Sequence, residues 1–306
     1  MKNEMKNNEN KMKDAKCLTI SYLTWASYTS LNAGDKEADN ITNLKKIQMN
    51  DGKEYPYCSS QAVRRALREQ LAVLGCKLSE GVTAVQKKGA ATTMCNPQEY
   101  IDDDLFGFMK ADTATVKRIS PVRVSPLIAL EPYRGDLDYG TNYMAVKAGG
   151  DPNIFETEIH SGFYKGTILI ELDRVGEKTA GDLYKLELEA KQKAERVKAL
   201  LTAVQNLWTV GRQSRFLTDI SPKFVCAALM KVKNPIFMES IRIEKGKPDI
   251  NLINQTISDF AYVIIDHVIG ERKGFFPEDN EQFATLGQAF DKMRQWIDDI
   301  FGEKTE

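Results

Sequence analysis

The stretch FYKGTILIELD, residues 163–173, decides how this chain is built. Its β-branched and aromatic residues form an apolar run of strand length, and GEKT at 176–179 breaks it. Toward the C-terminus, Leu183, Leu186, Ala190, Ala194, Val197, Leu200, Leu201, Val204 and Trp208 recur near the helical period with charges opposite. They predict one long helix over 180–208. A Gly-Arg loop, VGRQSRF at 210–216, follows, and then a strand over 223–232. Toward the N-terminus, residues 131–158 are rich in Gly, Asp, Asn, Tyr and Pro and read as an extended projection. PVRVSPLIAL at 121–130 reads as a strand, 75–120 as an irregular insertion, 60–74 as a helix, 27–51 as a long polar loop, and CLTISYLTW at 17–25 as the first strand.

The order is β-α-β-β-α-β. That is the split βαβ plan of an α+β, ferredoxin-like or RRM-like core with large insertions. Residues 17–233 form this palm, with a finger-like helical insertion at about 75–120 and a thumb-like hairpin at 133–158. Residues 1–16 are a charged tail without the apolar core of a signal peptide, expected to be disordered. Residues 234–306 are a C-terminal extension packed on the palm. It ends in an amphipathic helix with Phe283, Leu286, Phe290, Met293, Ile297 and Phe301 on one side. The plan alone assigns no function.

Composition narrows the function classes. The 306 residues carry a formal net charge of −1, which excludes a bulk-basic nucleic-acid binder and leaves room for a local basic groove. The five cysteines, Cys17, Cys58, Cys76, Cys95 and Cys226, are scattered and form no CxxC pair, so reduced thiols and no metal are expected. The two histidines, His160 and His267, fall in or beside strands, and nothing pairs them for catalysis. No Gly-rich phosphate motif is present, so no nucleotide cofactor is expected. No apolar run spans a bilayer, and a cytoplasmic protein without membrane partners is expected.

The helix in YPYCSSQAVRRALREQL, residues 55–71, holds the most chemistry. On a helical wheel Val63, Ala66, Leu67, Leu71 and Leu74 share one face, while Gln61, Arg64, Arg65 and Arg68 fall at i, i+3, i+4 and i+7 on another. Ser59 or Ser60 is positioned as N-cap, where free N–H groups and the dipole favour an anion. Arginine suits phosphate through its planar fork. Glu69 lies off this strip, so no i,i+4 acid is expected to neutralise Arg65 within it. The competing reading is a solvated charged face.

SSQAVRRALR resembles the helix of the CRISPR Cascade backbone subunit, the Cas-seven family. LTISYLTWASYTSLNAGD with NITNLKKI is similar to the DevR-type branch, and DLFGFM, RISPVRVSPLIAL, FYKGTILIELDRVG and GRQSRFL follow in matching order, over roughly residues 17–275. The resemblance implies a non-enzymatic subunit of a type I (I-B) surveillance complex in antiviral defence. Copies of such a subunit form a helical filament along a guide RNA (crRNA), beside other Cascade subunits. They grip the backbone and leave bases to pair with target DNA. Carried over, Ser59, Ser60, Gln61, Arg64, Arg65 and Arg68 match the gripping helix. Gly211, Arg212, Gln213, Ser214 and Arg215 match the loop beside it, and Asn32, Lys45 and Lys46 lie in the loop after the first strand. Tyr143 and Met144 stand where a thumb's base-displacing wedge is expected; packing at the hairpin's own base is the alternative. A subunit that accepts any guide should hold phosphate and sugar rather than base edges.

The rival is a metal-dependent target-RNA endoribonuclease of the type III kind, using Asp35 in the loop after the first strand, with Asp39 nearby. Turn chemistry in NAGD and ADN is the plainer role of both. Asp102–Asp104 reads as a helix start or solvated turn rather than a metal site.

Overall fold

The computed structural model describes residues 12–38, 40–79, 93–110, 115–179, 182–208 and 214–302. Its centre is β1 (Cys17–Thr29), thirteen residues long and buried on both faces from Cys17 to Thr24, as a strand covered on two sides must be. After it come β2 (Ala33–Ala38), β3 (Ile41–Leu44), β4 (Lys46–Gln48), β5 (Glu54–Cys58) and helix α1 (Ser60–Val73). The insertion holds α2 (Ile101–Phe106), β6 (Phe108–Lys110) and β7 (Val116–Arg118). Next are β8 (Val122–Val124), β9 (Leu127–Ala129) and a hairpin of β10 (Leu137–Asn142) and β11 (Asn153–Glu158), with the short α3 (Met144–Lys147) at its tip. Then come β12 (His160–Glu171), α4 (Ala190–Gln205) and β13 (Phe224–Met230). The chain closes with β14 (Ile243–Glu244), β15 (Lys247–Pro248), α5 (Ile250–Asp259), β16 (Ile264–Glu271), β17 (Ala284–Thr285) and α6 (Leu286–Phe301).

The main sheet runs β17-β16-β13-β1-β12-β9-β5-β4, with β8 also on β12. β1 pairs antiparallel with both neighbours, Ile20 lying opposite Ile168 of β12 and Ala227 of β13. Alternation along the strands sends Leu18, Ile20 and Tyr22 to a face covered by α1, α4 and α6, with Leu67, Leu201, Phe290 and Trp296 in the same core. Cys17, Leu23, Leu169 and Cys226 go to the other face, against Phe237, Ile253 and Phe276 of the C-terminal segment. The molecule is thus an α+β structure with a large sheet and few helices.

Several expectations change. Residues 27–51 are strands rather than a loop: β2 and β3 join β10 and β11 in a second, four-stranded sheet. Polar side chains do not mark this segment as loop, because Ile41, Thr42 and Asn43 of β3 are only partly buried, and a half-solvated strand keeps polar residues. The helix over 180–208 starts at Ala190. Tyr184, Leu186 and Leu188 are buried while Leu183, Lys185 and Glu187 are exposed, a period of two that fits an extended segment. Gln192 Oε1 then accepts the Glu189 N–H at 3.1 Å and fixes the helix start. The strand over 121–130 divides at Pro126, which lacks an N–H to continue the ladder. Residues 264–271 add a strand to the main sheet beside β13. Among the described residues no helix is long and apolar enough to cross a membrane.

The acidic run at 102–104 does start a helix, α2, but it is buried, not solvated. Asp104 lies between two guanidiniums, 2.5 Å from Arg118 Nη2 and 2.8 Å from Arg196 Nη1, and Arg118 also donates to the carbonyl oxygen of Arg174 and to Tyr184 Oη. The buried charge of Asp104 is tolerated because both of its oxygens are paired.

Candidate nucleic-acid interface

Helix α1 begins where β5 ends. Ser59 has extended backbone and its Oγ accepts the Ala62 N–H at 3.3 Å, so Ser59 rather than Ser60 is the N-cap. Ser60 Oγ instead donates to Gln61 Oε1. Val63, Ala66, Leu67 and Leu71 are buried as the wheel requires. Leu74 is not; it is the C-cap residue, past the last helical turn, and is 45% exposed.

The three arginines are not equivalent. Arg65 is 76% exposed at its side chain and pairs with Glu69 at 3.0 Å. The expectation that Arg65 has no acid partner therefore fails: four residues turn the helix about 400°, so the two long side chains start only about 40° apart. Arg68 Nε donates to Asp102 Oδ2 at 3.3 Å, and its guanidinium lies 4.7 Å from the Phe106 ring centroid. Asp102 also accepts the Ser79 N–H, which ties α1 to the insertion. Arg64 is half-buried. Its Nη2 reaches the Val122 carbonyl at 3.4 Å and its Nε is a buried donor without a partner. Burial first, then the charges of Arg68 and Arg123, lower its pKa. An anion would relieve all three penalties.

The segment after β1 meets the start of α1. Lys45 N–H donates to the Asn32 carbonyl at 3.0 Å and Tyr57 N–H to the Lys45 carbonyl at 2.9 Å, stitching three backbone segments beside Ser59. Asn32 Nδ2 is buried without a partner. Lys46 turns away: its Nζ is 2.7 Å from Glu158 Oε1, 3.6 Å from Glu54 and 4.4 Å from the Tyr133 ring, at the root of the hairpin. The Asp35 side chain and Asp39 lie outside the described residues.

Of the Gly-Arg loop, Gly211, Arg212 and Gln213 lie outside the described residues, and Ser214 is exposed. Arg215 packs on the hairpin. It pairs with Asp138, reaches Thr157 Oγ1 at 3.2 Å and lies over Phe155 at 4.4 Å and Phe216 at 5.0 Å. Tyr28 Oη donates to the other oxygen of Asp138 at 2.8 Å. Asp138 therefore clamps the hairpin to the end of β1 and to the segment after α4. Sequence reasoning missed this clamp; the residues are far apart in the chain and no spacing links them. At the tip, Tyr143 and Met144 are 65% and 69% exposed, so they do not pack at the hairpin's base.

Arg123 also went unnoticed, in the alternating PVRVSP. It pairs with Glu171 at 2.8 Å, beside Arg174 and Lys233. Burial works against ionisation of Glu171, but hydrogen bonds from Lys233, Arg123 and Arg174 hold its carboxyl below the usual range. Both histidines lie in strands, His160 in β12 and His267 in β16. None of the five cysteines is in a disulfide. Among the described residues no group of three or more His, Cys, Asp or Glu is placed to hold a metal ion.

Residues 21–248 match the family described as the CRISPR-associated negative auto-regulator DevR/Csa2. The chain belongs to the DevR/Csa2 family. The CRISPR-associated protein Cas7/Cst2/DevR of Myxococcus xanthus (strain DK1622) is 28% identical to it over 237 residues, 70% of this chain and 72% of that protein. The fold is shared with a chain of a CRISPR RNA-guided surveillance complex in a pre-nicking state, at a TM-score of 0.61 and 15% identity, covering 92% of this chain and all of that one (100%). A second chain, from a CRISPR RNA-guided surveillance complex, gives 0.57 and 17% identity over 91% of this chain and 98% of its own. The span matched to the DevR/Csa2 family takes in α1, the hairpin with its Asp138 clamp, and the buried Asp104 network.

Proposed function

We propose that this DevR/Csa2 protein is the guide-RNA-binding backbone subunit of a cytoplasmic type I CRISPR surveillance complex. Copies of it line a guide RNA in a filament beside other Cascade subunits, hold the sugar–phosphate backbone, and leave the bases to pair with target DNA. The core supports a ferredoxin-like plan for this palm, since β13, β1, β12 and β9 lie in that order with α1 and α4 as crossovers. Ser59, Ser60, Gln61, Arg64, Arg65 and Arg68 grip the backbone with Asn32 and Lys45, and the sequence resemblance assigns Gly211, Arg212, Gln213 and Ser214 to the same grip. Tyr143 and Met144 supply the wedge of the thumb. The protein itself performs no chemistry on the RNA.

The observation that carries the reading is Arg64, a desolvated guanidinium beside two further arginines with a buried donor left open. A surface built only for solubility would keep that charge in water. Copurification tests the reading: the protein expressed with its neighbouring subunits and a CRISPR array should retain RNA of one defined length. Charge reversal of Arg64 and Arg65, with Arg68 kept as the partner of buried Asp102, should abolish retention while the fold, followed by circular dichroism, persists. Unchanged retention in a folded double variant refutes the assignment of α1.

A further inference from the structure

A cleft of about 290 Å³ opens at the root of the hairpin, between the end of β1, residues 131–136 and the start of β12. Trp25, Glu131, Arg134, Asp136, His160 and Ser161 line it. One wall is a ring whose position is fixed. The Trp25 indole meets Phe163 edge-on at 4.8 Å, and its Nε1–H donates to Ser27 Oγ at 2.8 Å. The opposite groups are polar. Glu131 Oε2 accepts the Phe163 N–H at 3.1 Å, and His160 Nδ1 lies 2.9 Å from Tyr164 Oη, leaving Nε2 as the ring nitrogen that Tyr164 does not use. Gly162 keeps the floor open: a Cβ there would lie 2.7 Å from Glu131 Oε2 and 2.9 Å from His160 Cε1.

We propose that this cleft receives a single nucleobase, unstacked from the bound RNA strand. The proposal rests on the RNA-binding reading above and adds a site that the backbone grip does not require. Three features favour a base over other ligands. The volume is at the small end of ligand pockets, enough for one ring system and too little for a folded segment. An indole wall beside convergent donors and acceptors is how proteins hold a splayed base, by its flat face and its edge. Arg134 supplies donors, while Glu131 and Asp136 supply acceptors. Burial raises the Glu131 carboxyl and lowers the His160 imidazole, so both lean toward their neutral forms, which suits an uncharged heterocycle better than a phosphate.

The test uses the full-length protein and a short RNA of defined sequence. Single abasic nucleotides are scanned along it, and a parallel set carries 4-thiouridine for photocrosslinking. One abasic position should weaken binding by about tenfold. Crosslinks should map to the peptides holding Trp25 or residues 131–136. Arg134→Ala, and Gly162→Ala as a cleft-filling variant, should weaken the intact RNA by a similar factor and erase the abasic effect, with the salt dependence of binding unchanged. Should Gly162→Ala fail to fold, Arg134→Ala carries the comparison. A flat abasic scan with crosslinks elsewhere, on RNA that still binds with a steep salt response, overturns the cleft and leaves the backbone reading intact. No RNA binding by the wild-type protein overturns both.

Discussion

Single alanine substitutions at the three arginines of α1 should separate binding from stability. Arg65 is mostly in water and its pair with Glu69 is exposed, so Arg65→Ala should cost no more than about 0.5 kcal/mol of stability. Arg68→Ala strands the Asp102 carboxylate, which is 3% exposed and among the described residues keeps the Ser79 N–H as its hydrogen-bond donor. Breaking a buried pair costs about 3–5 kcal/mol, and the partial exposure of Arg68 brings this to about 2–3 kcal/mol. Arg64→Ala removes a desolvated charge that Arg68 and Arg123 repel, so the fold should change by less than about 1 kcal/mol. Its effect on RNA should be the largest of the three. Loss of charge-assisted hydrogen bonds is worth about 1.5–3 kcal/mol, roughly ten- to hundredfold in Kd, and the slope of log K against log salt should flatten by about 0.7 for a single-stranded phosphate. Fluorescence anisotropy at several salt concentrations reads the binding, and urea midpoints read the stability. The reasoning is refuted if Arg64→Ala binds RNA with wild-type affinity and slope while Arg65→Ala does not.

Four further outcomes are expected. Asp104→Asn should lower the urea-derived stability by about 3–5 kcal/mol, because Arg118 and Arg196 lose the charge they share in the core; a wild-type midpoint would show that the network is dispensable. Tyr143→Ala with Met144→Ala should leave the thermal midpoint unchanged, since both side chains are exposed, and should abolish the periodic reactivity of displaced bases to chemical probing of the bound guide. Burial opposes it, but hydrogen bonds from Lys223 and Ser221 hold the Asp219 carboxyl at about 2, below its ordinary value of 3.8. That contribution is fully present above pH ~4 and is lost as pH falls through about 2, so Asp219→Asn should flatten the acid limb of stability measured over this window. Target RNA incubated with Mg²⁺ should stay intact, and cleavage products that vanish in Asp35→Ala would reverse the non-catalytic reading.

The regular parts of the fold were legible because their signals are local. β1, α1, β12, β13 and α6 each carry an apolar pattern of one period over their length. The misread segments had two signals or none. Residues 183–188 combine apolar positions that fit a helix with burial that alternates, and the packing of Tyr184, Leu186 and Leu188 with Phe108 chose the extended form. The polar strands β2 and β3 carry no apolar alternation; their partners in the hairpin make them strands.

The sequence by itself determined the order β1, α1, β12, α4 and β13, the buried face of α1 as far as Leu71, and the placement of three arginines on one helix. Each follows from backbone geometry acting over a few residues. Only the tertiary structure decided what those arginines are free to do. Glu69 takes Arg65, Asp102 takes Arg68, Asp138 takes Arg215, and Glu158 takes Lys46, so that Arg64 is left desolvated with an open donor. The reason is electrostatic. The pull of a carboxylate on a guanidinium depends on distance and burial in space, and three of these four acids come from other elements that sequence spacing does not bring together.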